Sequence, residues 1–134
     1  MSLRHDARID LLKRVPLFAH CSRKELVQIA GLTDELHLPA GRKLTREGDF
    51  GHEFLVLVDG NAEVRQGDDV VATLGDGDFF GEIALVTDEP RTATVVATSP
   101  VHVLVIGERE FRTLMRDSSD VRASVEKAMA ERSS

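Results

Sequence analysis

The sequence predicts a mainly β protein with flanking helices, on three observations. From Glu35 to Ile106 the chain is a series of short apolar or alternating runs, broken by glycine turns at short intervals. That is the pattern of a compact antiparallel barrel, roll or sandwich. Before this series, and again after it, the apolar residues recur at helical spacing. The 134 residues suffice for one domain with a core, and 42% hydrophobic and 30% charged content is that of a globular chain.

Ile9, Leu11, Leu12 and Val15 form the first helical stripe, and Pro16 closes it because its ring and missing N–H stop a helix. Ser22 supplies an N-cap for a second helix carrying Leu26, Val27, Ile29 and Ala30, and Gly31 fits its end. From Glu35 the period falls to two: Leu36 and Leu38 alternate with His37 and Pro39, and Ala40-Gly41 turns the chain. Arg42–Arg46 reads as a partly exposed strand and Glu47–Gly51 as a loop. Glu53–Val58 is the strongest strand, apolar enough to be buried on both faces. Asp59-Gly60-Asn61 is expected to be a tight hairpin turn with Gly60 at positive φ. Ala62–Gln66 and Val70–Leu74 follow as strands, and Phe79 and Phe80 enter the barrel wall. Thr94–Thr98 and Val101–Ile106 lie either side of Ser99-Pro100, with His102 expected to face solvent. A helix over Arg109–Arg116 puts Phe111, Leu114 and Met115 on one side. Ser118-Ser119-Asp120 caps a last helix carrying Val121, Val125, Ala128 and Met129.

Composition excludes several classes. The net charge is −6 and no Lys/Arg cluster stands out, which argues against direct nucleic-acid binding. No apolar run could span a bilayer, and the first residues lack the apolar core of a secretory signal. The expected location is cytoplasmic, with no membrane partner. Cys21 is the single cysteine, so no intrachain disulfide forms; it is expected to be a partly buried thiol between the first two helices. The five histidines lack metal-ligand spacing, Gly75-x-Gly77-x-x-Phe80 misses the third glycine of a dinucleotide fingerprint, and no P-loop occurs. No metal, cofactor or catalytic set is expected.

One stretch does point to chemistry. From Asp68 to Glu108 there are eight acidic side chains and a single cation, Arg91. A lone guanidinium in so acidic a region suggests a specific anionic ligand, and its planar fork of donors matches phosphate oxygens. Gly81 permits close backbone approach. Glu82–Val86 is long enough for one helical turn, whose first N–H groups attract anions. Glu82 can accept hydrogen bonds from a sugar hydroxyl, or pair with Arg91 and hold its geometry. The ligand indicated is a small phosphate ester.

The run Phe80-Gly81-Glu82-Ile83-Ala84-Leu85, the spacer after it and Pro90-Arg91-Thr92-Ala93-Thr94 closely resemble the phosphate-binding cassette of cyclic nucleotide-binding domains. These domains are of the cAMP receptor protein and protein kinase A regulatory-subunit type. The resemblance covers nearly the whole chain: Val15-Pro16-Leu17-Phe18 looks like the family's N-terminal helical signature. Gly41, Gly48, Gly60 and Gly77 sit where its turns carry glycines. It implies an antiparallel β-roll (a double-stranded β-helix, jelly-roll-like) with N-terminal helices, a short cassette helix and C-terminal helices. The implied layout is a single domain over 1–134: helices in 1–34, the β-roll in 35–106 with the cassette at 80–94, and helices in 107–134.

By the same resemblance Arg91 is the arginine that grips the cyclic phosphate, and Glu82 binds the ribose 2′-hydroxyl. Gly81, Ile83 and Ala84 contribute backbone, and Thr92 and Ala93 meet the phosphate after the arginine. Thr92 also stands where a hydroxyl in some members contacts the 2-amino group of a syn guanine, which keeps cGMP open beside the favoured cAMP. The last helix departs from the family in carrying no aromatic lid. The implied protein is a stand-alone, bacterial-looking sensor that binds cyclic nucleotide without chemistry and signals through its C-terminal helices to an effector protein, with a homodimer admitted. The rivals are a regulatory fragment of a larger transcription factor or enzyme, and a degenerate interaction module without ligand.

Overall fold

A computed structural model describes residues 5–15, 18–19, 21–51, 53–81 and 89–133. Their order is α1 (His5–Arg14), α2 (Arg23–Ala30), β1 (Thr33–Leu38), β2 (Lys43–Thr45), β3 (Glu53–Asp59), β4 (Ala62–Gln66), β5 (Asp69–Leu74), β6 (Phe79–Phe80), β7 (Thr94–Ala97), β8 (Val101–Gly107), α3 (Glu108–Asp117) and α4 (Ser119–Ser133). Every strand pairing is antiparallel. The strands form two four-stranded sheets, ordered β1-β8-β3-β6 and β2-β7-β4-β5.

Period-two alternation on β3 and β8 builds two cores from one sheet. Leu55, Leu57, Val101, Val103 and Val105 turn inward and meet Ala62, Val95 and Ala97 of the second sheet. Phe54, Val56, Leu104 and Ile106 turn outward and meet the helices through Leu12, Phe18, Ile29, Phe111 and Leu114. That is why Glu53–Val58 carries almost no polar residue: each of its faces has a core to fill. Phe54 sits at the centre of the outer layer. Its ring lies 6.2 Å from Phe18, 5.8 Å from Phe79 and 5.2 Å from Phe111.

Two expectations are corrected. Asp59-Gly60-Asn61 is not a hairpin turn between paired strands. β3 and β4 belong to different sheets, so the turn carries the chain from one layer to the other. Gly60 does adopt φ +104°, and a Cβ there would lie 2.5 Å from the carbonyl oxygen of Pro100. His102 does not face solvent. It is 5% exposed, because β8 is an interior strand and position 102 shares the outer face of Leu104 and Ile106. Its Nε2 lies 3.3 Å from Glu35 Oε1, and its ring stacks on His37 at 4.2 Å. Arg8 of α1 approaches the other oxygen of Glu35 at 3.5 Å.

The helix caps follow the sequence. Ser22 Oγ accepts from Glu25 N at 3.2 Å while Glu25 Oε1 accepts from Ser22 N at 2.9 Å, a complete capping box. Glu25 Oε2 also accepts from Ser118 Oγ. Ser118 Oγ in turn accepts from Val121 N at 3.2 Å and caps α4. One carboxylate therefore ties the start of α2 to the junction between α3 and α4. Cys21 is half-buried, as expected. Pro16 and Leu17 lie outside the described residues.

Candidate functional site

β6 delivers the chain to Gly81, which adopts φ +98°, a conformation only glycine enters without strain. Arg91 stands three residues before β7. Arg91 is fixed through its backbone. Its N–H donates to Asp49 O at 2.7 Å, its carbonyl accepts from Gly48 N at 2.8 Å, and Pro90 bridges Phe50. The 48–50 loop thus runs beside 90–91 as a short antiparallel pair.

The guanidinium points inward, and Arg91 is only 9% exposed. Nη2 donates to the carbonyl of Glu53 at 2.7 Å. Two glycines flank the group. A Cβ at Gly81 would lie 2.6 Å from Nη1, and one at Gly51 would lie 2.2 Å from Nε. Carbons and nitrogens in ordinary contact stand at about 3.5 Å, so the guanidinium occupies space that side chains at either position would fill. Thr94 Oγ1 accepts from Glu47 N at 2.9 Å and is an ordinary strand residue that braces the adjoining loop.

Gly81 and Arg91 are therefore together, across a gap of ten positions in sequence. Thr92 and Ala93 follow directly, Thr92 exposed and Ala93 half-buried. Glu82, Ile83 and Ala84 fall outside the described residues, as does the short cassette helix. The sequence reading missed two partners of Arg91. Gly51 reads in the sequence only as a loop glycine, and the Glu53 carbonyl carries no side-chain signal. Among the described residues no cluster of His, Cys, Asp or Glu has metal-binding geometry.

The family model for the cyclic nucleotide-binding domain matches residues 35–118. A cAMP-dependent protein kinase regulatory subunit of Hypocrea atroviridis is 36% identical over 106 residues, which is 79% of this chain and 23% of that protein. A cyclic nucleotide-gated potassium channel of Rhizobium etli is 34% identical over 123 residues, 92% of this chain and 34% of the channel. The regulatory domain of Toxoplasma gondii protein kinase A, solved with cAMP, superposes with a TM-score of 0.85 at 26% identity, covering 96% of this chain and 50% of that one. The chain spans about a quarter of the length of the curated kinase subunits it matches. The matched segment runs from within β1 to the cap of α4 and takes in both sheets, Gly81 and Arg91, so the chain belongs to the cyclic nucleotide-binding domain family.

Proposed function

We propose that this chain is a regulatory module that binds a cyclic nucleotide reversibly, cAMP ahead of cGMP, and performs no chemistry on it. Arg91 holds the cyclic phosphate, with Thr92 and Ala93 beside it. Gly81, Ile83 and Ala84 offer backbone groups to sugar and phosphate, and Glu82 accepts from the ribose 2′-hydroxyl. The observation that carries this reading is the placement of Arg91. Its guanidinium is seated on the Glu53 carbonyl and directly beside Gly81, where the cassette begins. A planar fork of donors at that point suits the oxygens of a bidentate anion.

The proposed signal leaves by the aromatic centre. Phosphate draws Arg91 and residues 82–86 inward, which loads β6 two residues away. Phe79 of β6 packs on Phe54, and Phe54 stacks on Phe111 of α3. α3 runs into Ser118, the cap of α4. Ligand thereby biases two arrangements of α3 and α4 that an effector protein, or a second copy in a homodimer, reads. In this reading 1–134 is one domain that works in the cytoplasm without contacting nucleic acid or membrane. The net charge of −6 is the observation that speaks against nucleic acid.

Titration calorimetry with cAMP and cGMP, on wild type and Thr92→Ala, tests the ligand assignment. The expected outcome is tighter binding of cAMP, and a loss on Thr92→Ala confined to cGMP. Failure of both nucleotides to bind at millimolar concentration would overturn it.

A further inference from the structure

We propose that Gly51 is a positioning residue for the nucleotide site, glycine there because the guanidinium of Arg91 lies where its side chain would be. The inference rests on the reading of Arg91 as the phosphate ligand for its consequence, but its geometry stands alone. Glycines are required for two separable reasons: a backbone that demands positive φ, or a neighbour that leaves no room. Gly48 and Gly81 have φ of +88° and +98°. Gly51 is not among the positive-φ glycines, so no left-handed backbone calls for a glycine there. Space alone forbids a side chain. A Cβ would stand 2.2 Å from Nε, 2.3 Å from Cζ and 2.5 Å from Nη2 of Arg91.

The three nearest atoms all belong to one planar group, so the guanidinium is the first thing a Cβ would strike. Restoring ordinary contact of about 3.5 Å means moving that group by about 1.3 Å. The bond from Nη2 to Glu53 O, now 2.7 Å, would stretch to about 4 Å and cease to be one. The seat has a second side. At Gly81 a Cβ would meet Nη1 at 2.6 Å and Glu53 O at 2.8 Å. Gly51, Gly81 and the Glu53 carbonyl thus define a slot for a flat, forked cation, and a lysine cannot fill it in the same way. The 48–51 loop, paired through Asp49 and Gly48 to the backbone of Arg91, is part of the phosphate end of the site.

A double-mutant cycle reads this directly. Thermal unfolding and cAMP titration are measured on the full chain as wild type, Gly51→Ala, Arg91→Ala and Gly51→Ala/Arg91→Ala. Gly51→Ala should lower Tm by several degrees and weaken cAMP by roughly tenfold to a hundredfold, the loss expected on disturbing a charge-assisted hydrogen bond. In the Arg91→Ala background it should change Tm by no more than about one degree, since the group it strikes is gone. If Gly51→Ala fails to fold while the double variant folds, the seat is also confirmed. Equal loss of Tm in both backgrounds, or failure of both to fold, overturns it. The unfolding arm needs no ligand, so an error in the ligand assignment would leave it intact and show only in the titration.

Discussion

Removing the ring of Phe54 should cost this fold more than removing any other single side chain of its outer core. Phe54 is completely buried and touches three other rings, Phe18 before the sheet, Phe79 beside it and Phe111 after it. A buried Phe→Ala change costs about 3–5 kcal/mol in transfer and cavity terms. Aromatic pairs add about 0.5–1.5 kcal/mol each beyond burial, and three are lost at once. Phe54→Ala therefore falls at the upper end, about 4–5 kcal/mol, against a total stability on the order of 5–15 kcal/mol. Phe54→Leu keeps most of the volume and forfeits the ring contacts, so about 1.5–2 kcal/mol is expected. Urea unfolding followed by circular dichroism gives both values. With a slope of about 2 kcal/mol/M, the midpoint should fall by about 2 M for Phe54→Ala and just under 1 M for Phe54→Leu. A loss below about 1.5 kcal/mol for Phe54→Ala would show that the helices are not anchored through this ring.

Two further outcomes concern the helix junctions. The carboxyl of Glu25 is held below its ordinary 4.5, first by the hydrogen bond from Ser118 and then by that from Ser22. A folded-state pKa below the unfolded one adds stability that is present above pH 4.5 and is lost as pH falls through the folded value. The stability gap between wild type and Glu25→Gln should accordingly narrow below pH 4.5 and hold steady above it; a gap that does not change with pH would refute the link. The thiol of Cys21 is pushed up from 9.0 to about 11 by burial, with Glu25 and Asp120 adding to the effect. At pH 8 its thiolate fraction is about a hundredfold lower than that of an ordinary cysteine. Iodoacetamide should alkylate the native protein at about a hundredth of the rate seen in denaturant, and comparable rates would contradict this.

What could be read in advance was whatever depends on near neighbours in sequence. The strand Glu53–Val58 announces its two buried faces because both halves of the alternation are apolar. Ser22 and Ser118 announce helix starts because a cap is satisfied within three residues. The meeting of Gly81 and Arg91 was legible because both sit on one short segment. What could not be read depends on distant chain. His102 looks like a polar residue on an alternating strand until Glu35, itself paired with Arg8, reaches it. Asp59-Gly60-Asn61 has the chemistry of a hairpin, and only the sheet order shows that its strands part. Gly51 resembles any loop glycine, since nothing local separates a glycine required by φ from one required by a guanidinium forty positions away.

Calorimetric titration of cAMP into wild type and Arg91→Ala bears most directly on the central claim. Arg91 offers charge-assisted hydrogen bonds to phosphate, each worth about 1.5–3 kcal/mol, so the variant should bind at least about a hundredfold more weakly while unfolding as cooperatively as wild type. An unchanged affinity in a folded Arg91→Ala protein would contradict the assignment of this site.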